Sequence, residues 1–383
     1  MASVQQLVAD LIRLPSVNPM GRTDIHKDIC YESRVTDYLE ARLKELGVAV
    51  RRQGVAPGRD NLIATFEPSA PATRTFLFEA HQDTVPTDGM IVEPFGGTVR
   101  DGKIFGRGAC DVKAGIAGMF AAFARLVTEK PKGSARIVLA FTVDEEHTFL
   151  GVQQLVRSGI AADFAVVAEP TNLDVVTAHK GVARWQIETT GRACHSSRPQ
   201  DGENAIYHMA RVIYEVENYS ETLADRKKDP VLGRPTISLG RIEGGTSPNT
   251  VPDYCKIEVD RRLVPGESPT GAVADLEAFL TRDPNTADLP FKSSTPSLAC
   301  PALSPHQPEE FVARLDRAIA AVAGPHARIA VPYGTDASSL AEAGIPSVVF
   351  GPGDIAQAHT KDEWVELKQV EWAAEILFRF ATG

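Results

Sequence analysis

Apolar positions in the first part of the chain alternate between two spacings. Val4, Leu7, Val8, Leu11 and Ile12 recur at helical intervals and predict an amphipathic helix that ends near Pro15. Residues 32–46 repeat that spacing, and Gly47 is placed to stop it. Short apolar runs follow at 75–78, 136–143 and 164–167. The last two are rich in Val, Ile and Phe with little polar alternation, as expected of strands covered on both faces. Residues 114–126, between the first two runs, fit a helix. This order predicts an α/β sheet packed between helices.

The pattern changes near Gly181. Residues 183–189 alternate like a half-exposed strand, and 204–216 place Ile206, Met209, Ala210 and Ile213 on one helical face. Strand-like runs at 236–242 and 254–259 precede a helix-like stretch at 272–280. Strand, helix, strand, strand, helix predicts a small α+β domain of the split-βαβ, ferredoxin-like type. Beyond Pro290 the alternation resumes, with 311–322 helical and 346–350 strand-like. The expectation is a discontinuous α/β domain with a mixed sheet, residues 1–181 and 292–383, interrupted by an inserted domain at 182–291.

Composition narrows the class. With 383 residues, 43% hydrophobic and 23% charged, the chain has the proportions of a globular protein with a sizeable core. A formal net charge of −10 argues against nucleic acid or an anionic membrane as partner. No apolar run approaches the ~18 residues of a membrane span, and the N-terminus lacks the basic-then-apolar order of a signal peptide. The five cysteines (Cys30, Cys110, Cys194, Cys255 and Cys300) are odd in number and form no CxxC pair. That argues against a disulfide framework and against a thiolate zinc site, and it predicts a reducing, cytoplasmic setting.

Residues able to bind metal follow the predicted strands. His81-x-Asp83 comes after the first run, Asp144-Glu145-Glu146 after the second and Glu169-Pro170 after the third. Asp111 precedes a helix, and His359 follows 346–350 beyond a Gly351-Pro352-Gly353 turn. In open α/β sheets, sites form outside the carboxyl ends of the strands, so these distant segments can converge. Two imidazoles and several carboxylates without cysteine suit two divalent ions, zinc first, with cobalt able to substitute. Taken singly each motif is weak; their joint placement carries the argument. Gly106 and Gly108 lack the GxGxxG spacing and lead into an acidic residue, which argues against a nucleotide site.

The chain resembles the zinc amidohydrolases that include acetylornithine deacetylase, succinyl-diaminopimelate desuccinylase, aminoacylase and glutamate carboxypeptidase. The matching segments are Ala80-His-Gln-Asp-Thr-Val-Pro86, Asp101-Gly-Lys-Ile-Phe-Gly-Arg-Gly-Ala-Cys-Asp-Val-Lys113, Asp144-Glu-Glu146, Ala168-Glu-Pro-Thr171 and Ala358-His-Thr360. In the inserted domain they are Gly191-Arg-Ala-Cys-His-Ser-Ser197, Pro248-Asn249 and Asp260-Arg-Arg-Leu-Val-Pro-Gly266. They lie in family order over nearly the whole chain. Glu79-Ala80 departs from the small pair usual before the first histidine.

The resemblance implies roles. His81, Asp111 and Glu169 would hold one metal, and Asp111, Glu146 and His359 the other, with Asp111 bridging. Asp83 would fix the His81 tautomer. Glu145 would be the general base, taking a proton from the attacking water and passing it to the leaving amine. The inserted domain would serve as lid and homodimer surface, and His195 would stabilise the tetrahedral oxyanion, often across that dimer. Asn249 and Arg262 would bind a substrate carboxylate; the adjacent Arg261, which strand alternation sends to the opposite face, is the alternative to Arg262. Gly351 and Gly353 could offer backbone N–H groups to the substrate. The implied activity is hydrolysis of an amide next to a carboxylate, first as an N-acyl-amino-acid deacylase of the acetylornithine deacetylase kind. A metallo-carboxypeptidase or dipeptidase with the same site is the alternative. A non-catalytic relative that binds a small ligand is disfavoured by the presence of Glu145 and every ligand.

Overall fold

The computed structural model describes residues 3–225 and 228–383. The chain divides into two compact units: Met1–Thr177 with Pro305–Ile329 and Thr335–Gly383, and Ala178–Ser304 with Ala330–Gly334.

The first unit is organised by a mixed eight-stranded sheet. Its order is Val50–Ala56, Arg59–Phe66, Arg136–Thr142, Thr75–His81, Phe164–Val167, Ser347–Val349, Val175–His179 and Arg328–Val331. The chain passes from one unit to the other within each of the last two strands, and again between Ser304 and Pro305 and between Gly334 and Thr335. Arg136–Thr142, Thr75–His81, Phe164–Val167 and Ser347–Val349 are mutually parallel neighbours, so their carboxyl ends lie along one edge. Each of those ends leads into a segment bearing a candidate ligand.

The central strands are buried on both faces. Phe76, Phe78 and Ala80 join a cluster with Leu11, Leu39, Phe123, Phe311 and Phe380, which come from five helices. Leu77 points the other way and is equally buried. The Phe380 ring lies 4.6 Å from that of Phe76, within favourable aromatic contact. Local signals set the helix ends. Ser3 caps the Val4–Arg13 helix through the Gln6 amide, and Gly47, at φ +73°, follows the Ser33–Glu45 helix and donates to the Lys44 carbonyl.

The hairpin of Val50–Ala56 and Arg59–Phe66 has no counterpart in the sequence expectation. Its outer strand exposes Arg51 and Arg52, which break the apolar pattern. The Leu367–Thr382 helix, which contributes Ile376 and Phe380 to the core, is likewise an addition.

The second unit contains a five-stranded antiparallel sheet. Thr236–Gly244 is one edge, Tyr254–Leu263 is next, and Gly181–Thr190 carries both Phe291–Ser293 and Leu298–Cys300 on its far side. The Ala205–Asp225 and Pro269–Arg282 helices bury one face around Trp185, Ile257, Met209, Tyr219 and Leu276.

Candidate metal centre

His81 closes its strand and is buried. Its Nε2 lies 3.2 Å from Asp111 Oδ1 and 3.8 Å from Glu169 Oε1. His359 Nε2 lies 3.3 Å from Asp111 Oδ2 and 3.2 Å from Glu146 Oε1. Asp111 therefore turns one oxygen to each histidine, the disposition of a carboxylate between two cations. Ligand atoms of His81, Asp111 and Glu146 all lie within 4.8 Å of one another, as do those of His81, Glu145 and Glu169. Glu145 thus comes as close to the His81–Glu169 pair as a ligand would.

Electrostatics follow from this crowding. Burial raises Glu145 and Glu169 well above the usual carboxylate range, and neighbouring carboxylates add to it, Glu169 acting on Glu145 and Asp111 on Glu169. Burial would also raise Asp111, but hydrogen bonds from His359 and His81 pull it far below that range. For the histidines burial opposes the charge, yet adjacent carboxylates win. Asp111 and Asp83 raise His81 well above its ordinary value, and Asp111 and Glu146 push His359 up to about 11.

The turn that carries Glu145 and Glu146 is held from behind. Asp83 was expected to fix the His81 tautomer, and His81 Nδ1 lies 3.0 Å from the Asp83 backbone carbonyl and 3.6 Å from the Asp83 carboxylate. The Asp83 side chain also has a second task. That carboxylate accepts the Glu145 and Glu146 amides, each at 3.2 Å, and the Asn18 side-chain amide at 2.8 Å. Asn18 also donates to Asp144 Oδ1 at 2.9 Å, where Arg59 Nη1 donates at 2.6 Å. Arg59 forks onto buried Glu32, and the Tyr31 ring covers its guanidinium at 4.8 Å. Asp144 sits at φ +69°, a strained conformation for a non-glycine residue that this network over-determines. Sequence reading missed Asn18, Glu32 and Arg59, since nothing local marks them.

Gly351 and Gly353 do not offer free amides. Gly351 N–H donates to Thr171 Oγ1 at 3.1 Å and Gly353 N–H to Gln369 Oε1 at 2.7 Å. A Cβ on Gly351 would meet the Glu169 carbonyl at 2.6 Å, so this glycine is required by close packing against the Glu169 segment. Glu79, the departure noted before the first histidine, is buried and accepts from Thr142 Oγ1 at 2.5 Å. Cys110 is a buried thiol that donates to the Asp354 carbonyl.

The remaining candidates lie in the second unit. His195 is exposed with Nδ1 2.8 Å from Ser197 Oγ, and the Asn249 carbonyl accepts the Ser196 amide at 3.0 Å, so these two residues are neighbours. Arg262 is partly exposed and pairs with Asp260 at 2.8 Å. Arg261 points to the opposite face, is buried and pairs with Glu267 at 2.6 Å.

The donor set fits divalent cations. Asp111, Glu145, Glu146 and Glu169 crowd together around His81 and His359, which is costly unless further positive charge is supplied. Oxygen and imidazole donors of this kind suit zinc and related ions.

The fold and this centre define a metal-dependent hydrolase. Residues 77–383 match Peptidase family M20/M25/M40, and the chain belongs to that family. It is 31% identical over 353 residues to an acetylornithine deacetylase of Myxococcus xanthus, covering 90% of each chain. A Proteus mirabilis acetylornithine deacetylase is also 31% identical, over 97% of this chain and 94% of its own. Among solved structures, a family M20 metallo-carboxypeptidase of Sulfolobus solfataricus superposes with a TM-score of 0.79 at 17% identity, covering 100% of both chains.

Proposed function

We propose that the protein is a two-zinc deacylase that cleaves the amide of an N-acyl amino acid, with an acetylornithine-like substrate first. The observation that carries the two-ion reading is the division of the Asp111 oxygens between His81 and His359. His81, Asp111 and Glu169 would hold one ion, and Asp111, Glu146 and His359 the other. When bound, the ions supply Lewis-acid polarisation of the scissile carbonyl and lower the pKa of water. Glu145, whose ligand atom lies within 4.8 Å of those of His81 and Glu169, takes the proton of the attacking water and delivers it to the leaving amine. Asp83 keeps Glu145 and Glu146 oriented through their amides.

The inserted domain acts as lid and dimer surface in this reading. Its support is the sheet edge of Thr236–Gly244, unpaired among the described residues, and the exposed Tyr207, Tyr214 and Ile242. His195 stabilises the oxyanion, while Asn249 and Arg262 bind the substrate carboxylate. Deacylation is preferred over peptide hydrolysis because the deacetylase relatives are 31% identical and the carboxypeptidase 17%.

The test is amine release from N-acetyl, N-succinyl and peptide substrates with zinc supplied and a chelator control. Zinc-dependent release from N-acetyl amino acids is expected. Release from peptides alone would transfer the reading to a peptidase.

A further inference from the structure

We propose that Glu363 is a positioning residue that fixes Asp111 relative to His359, and so sets how firmly the centre retains the ion those two residues share. This rests on the two-ion reading above. Glu363 is fully buried and its carboxylate is saturated by donors from a single loop. Oε2 accepts from Arg107 Nη1 at 2.6 Å and the Gly108 amide at 3.2 Å. Oε1 accepts the amides of Cys110 at 2.9 Å and Asp111 at 3.0 Å. The Glu363 carbonyl accepts the Gly106 amide at 3.0 Å. Residues 106–111 thus close round one side chain, which belongs to the segment that presents His359 four residues earlier.

Successive N–H groups converging on one point form an anion-binding concavity. Hydrogen bonds to an ionised carboxylate are about twice as strong as neutral ones. The loop is confined on its other side too. Gly108 stands at φ +81°, and a Cβ there would meet Thr84 Cγ2 at 2.7 Å and Lys113 Cδ at 2.9 Å. A glutamine cannot replace Glu363, because its NH2 would face a pair of N–H donors whichever way the amide turned. The link therefore joins Asp111 to His359 through one rigid segment, independently of Glu169.

The experiment titrates Zn2+ into metal-stripped wild-type protein and Glu363→Gln, and measures zinc retained after dialysis and the urea midpoint without metal. The wild type should bind two ions. Glu363→Gln should keep one tight site and bind the second ion about tenfold or more weakly, while its metal-free midpoint falls because buried Arg107 loses its carboxylate. Arg107→Lys, which spares the amide donors, should weaken the same ion to a smaller degree, and it carries the test if Glu363→Gln does not fold. Wild-type affinity for both ions in the variants would overturn the inference. So would equal weakening of both ions, which marks a general structural role. A wild type that binds fewer than two ions would sink the two-ion reading itself, and the inference with it.

Discussion

At the residue scale, the centre depends on how each carboxylate is aimed. Asp83 accepts two successive amides and the Asn18 amide, a task for a group with acceptors only. In Asp83→Asn the side-chain NH2 would face those donors, and Glu145 would lose its orientation. The expected result is a fall in kcat of about 10²-fold or more with two zinc ions retained, read by steady-state kinetics beside metal analysis. Unchanged kcat would remove Asp83 from this role. His179 illustrates a different effect of burial. It is fully buried, and desolvation lowers it from 6.5 to about 4. A histidine kept neutral in the fold contributes stability that is fully present above pH ~6.5 and lost as the pH falls toward 4. The shift corresponds to about 3 kcal/mol. Urea midpoints across that window should fall more steeply for wild type than for His179→Gln.

At the element scale, strand ends matter more than strand interiors. The apolar runs at 75–78, 136–143 and 164–167 mark strands of the central sheet, because two-sided burial leaves a continuous hydrophobic signature. The polar residues just after them converge because those strands run parallel. The hairpin escaped because its outer strand carries solvated arginines, yet it supplies Arg59, the buried cation behind the Glu145 turn. Partners 27 and 85 residues away leave no spacing to read. Glycines mislead for a related reason: a Gly-Pro-Gly turn looks like a source of free amides, and the structure spends both amides internally. Arg59→Ala would leave Glu32 and Asp144 buried without their cation. Its expected cost is about 3–5 kcal/mol in urea unfolding, against less than 1 kcal/mol for a surface pair such as Arg42–Glu45.

At the scale of the whole molecule, metal and stability are linked. Ions that bind the folded centre and not the unfolded chain raise stability, by about 2.7 kcal/mol for each site at 100 times its Kd. Chelation should therefore lower the melting temperature, and Asp111→Asn should largely abolish that difference; an equal chelator effect in the variant would place the ions elsewhere. Among the described residues no helix is long and apolar enough to cross a membrane. If His195 acts across a dimer, mixing Glu145→Gln with His195→Ala should restore part of the activity, and a verified mixed dimer without recovery would place His195 within its own subunit.

In the proposed reaction Glu145 performs proton transfer at a centre organised by Asp111. Its most direct test follows amine release from an N-acetyl amino acid as zinc is returned to stripped wild-type protein and to Glu145→Gln. Both proteins should take up equal zinc, with activity rising in the wild type and lower by about 10²-fold or more in the variant. Near-normal turnover by zinc-loaded Glu145→Gln would contradict this role.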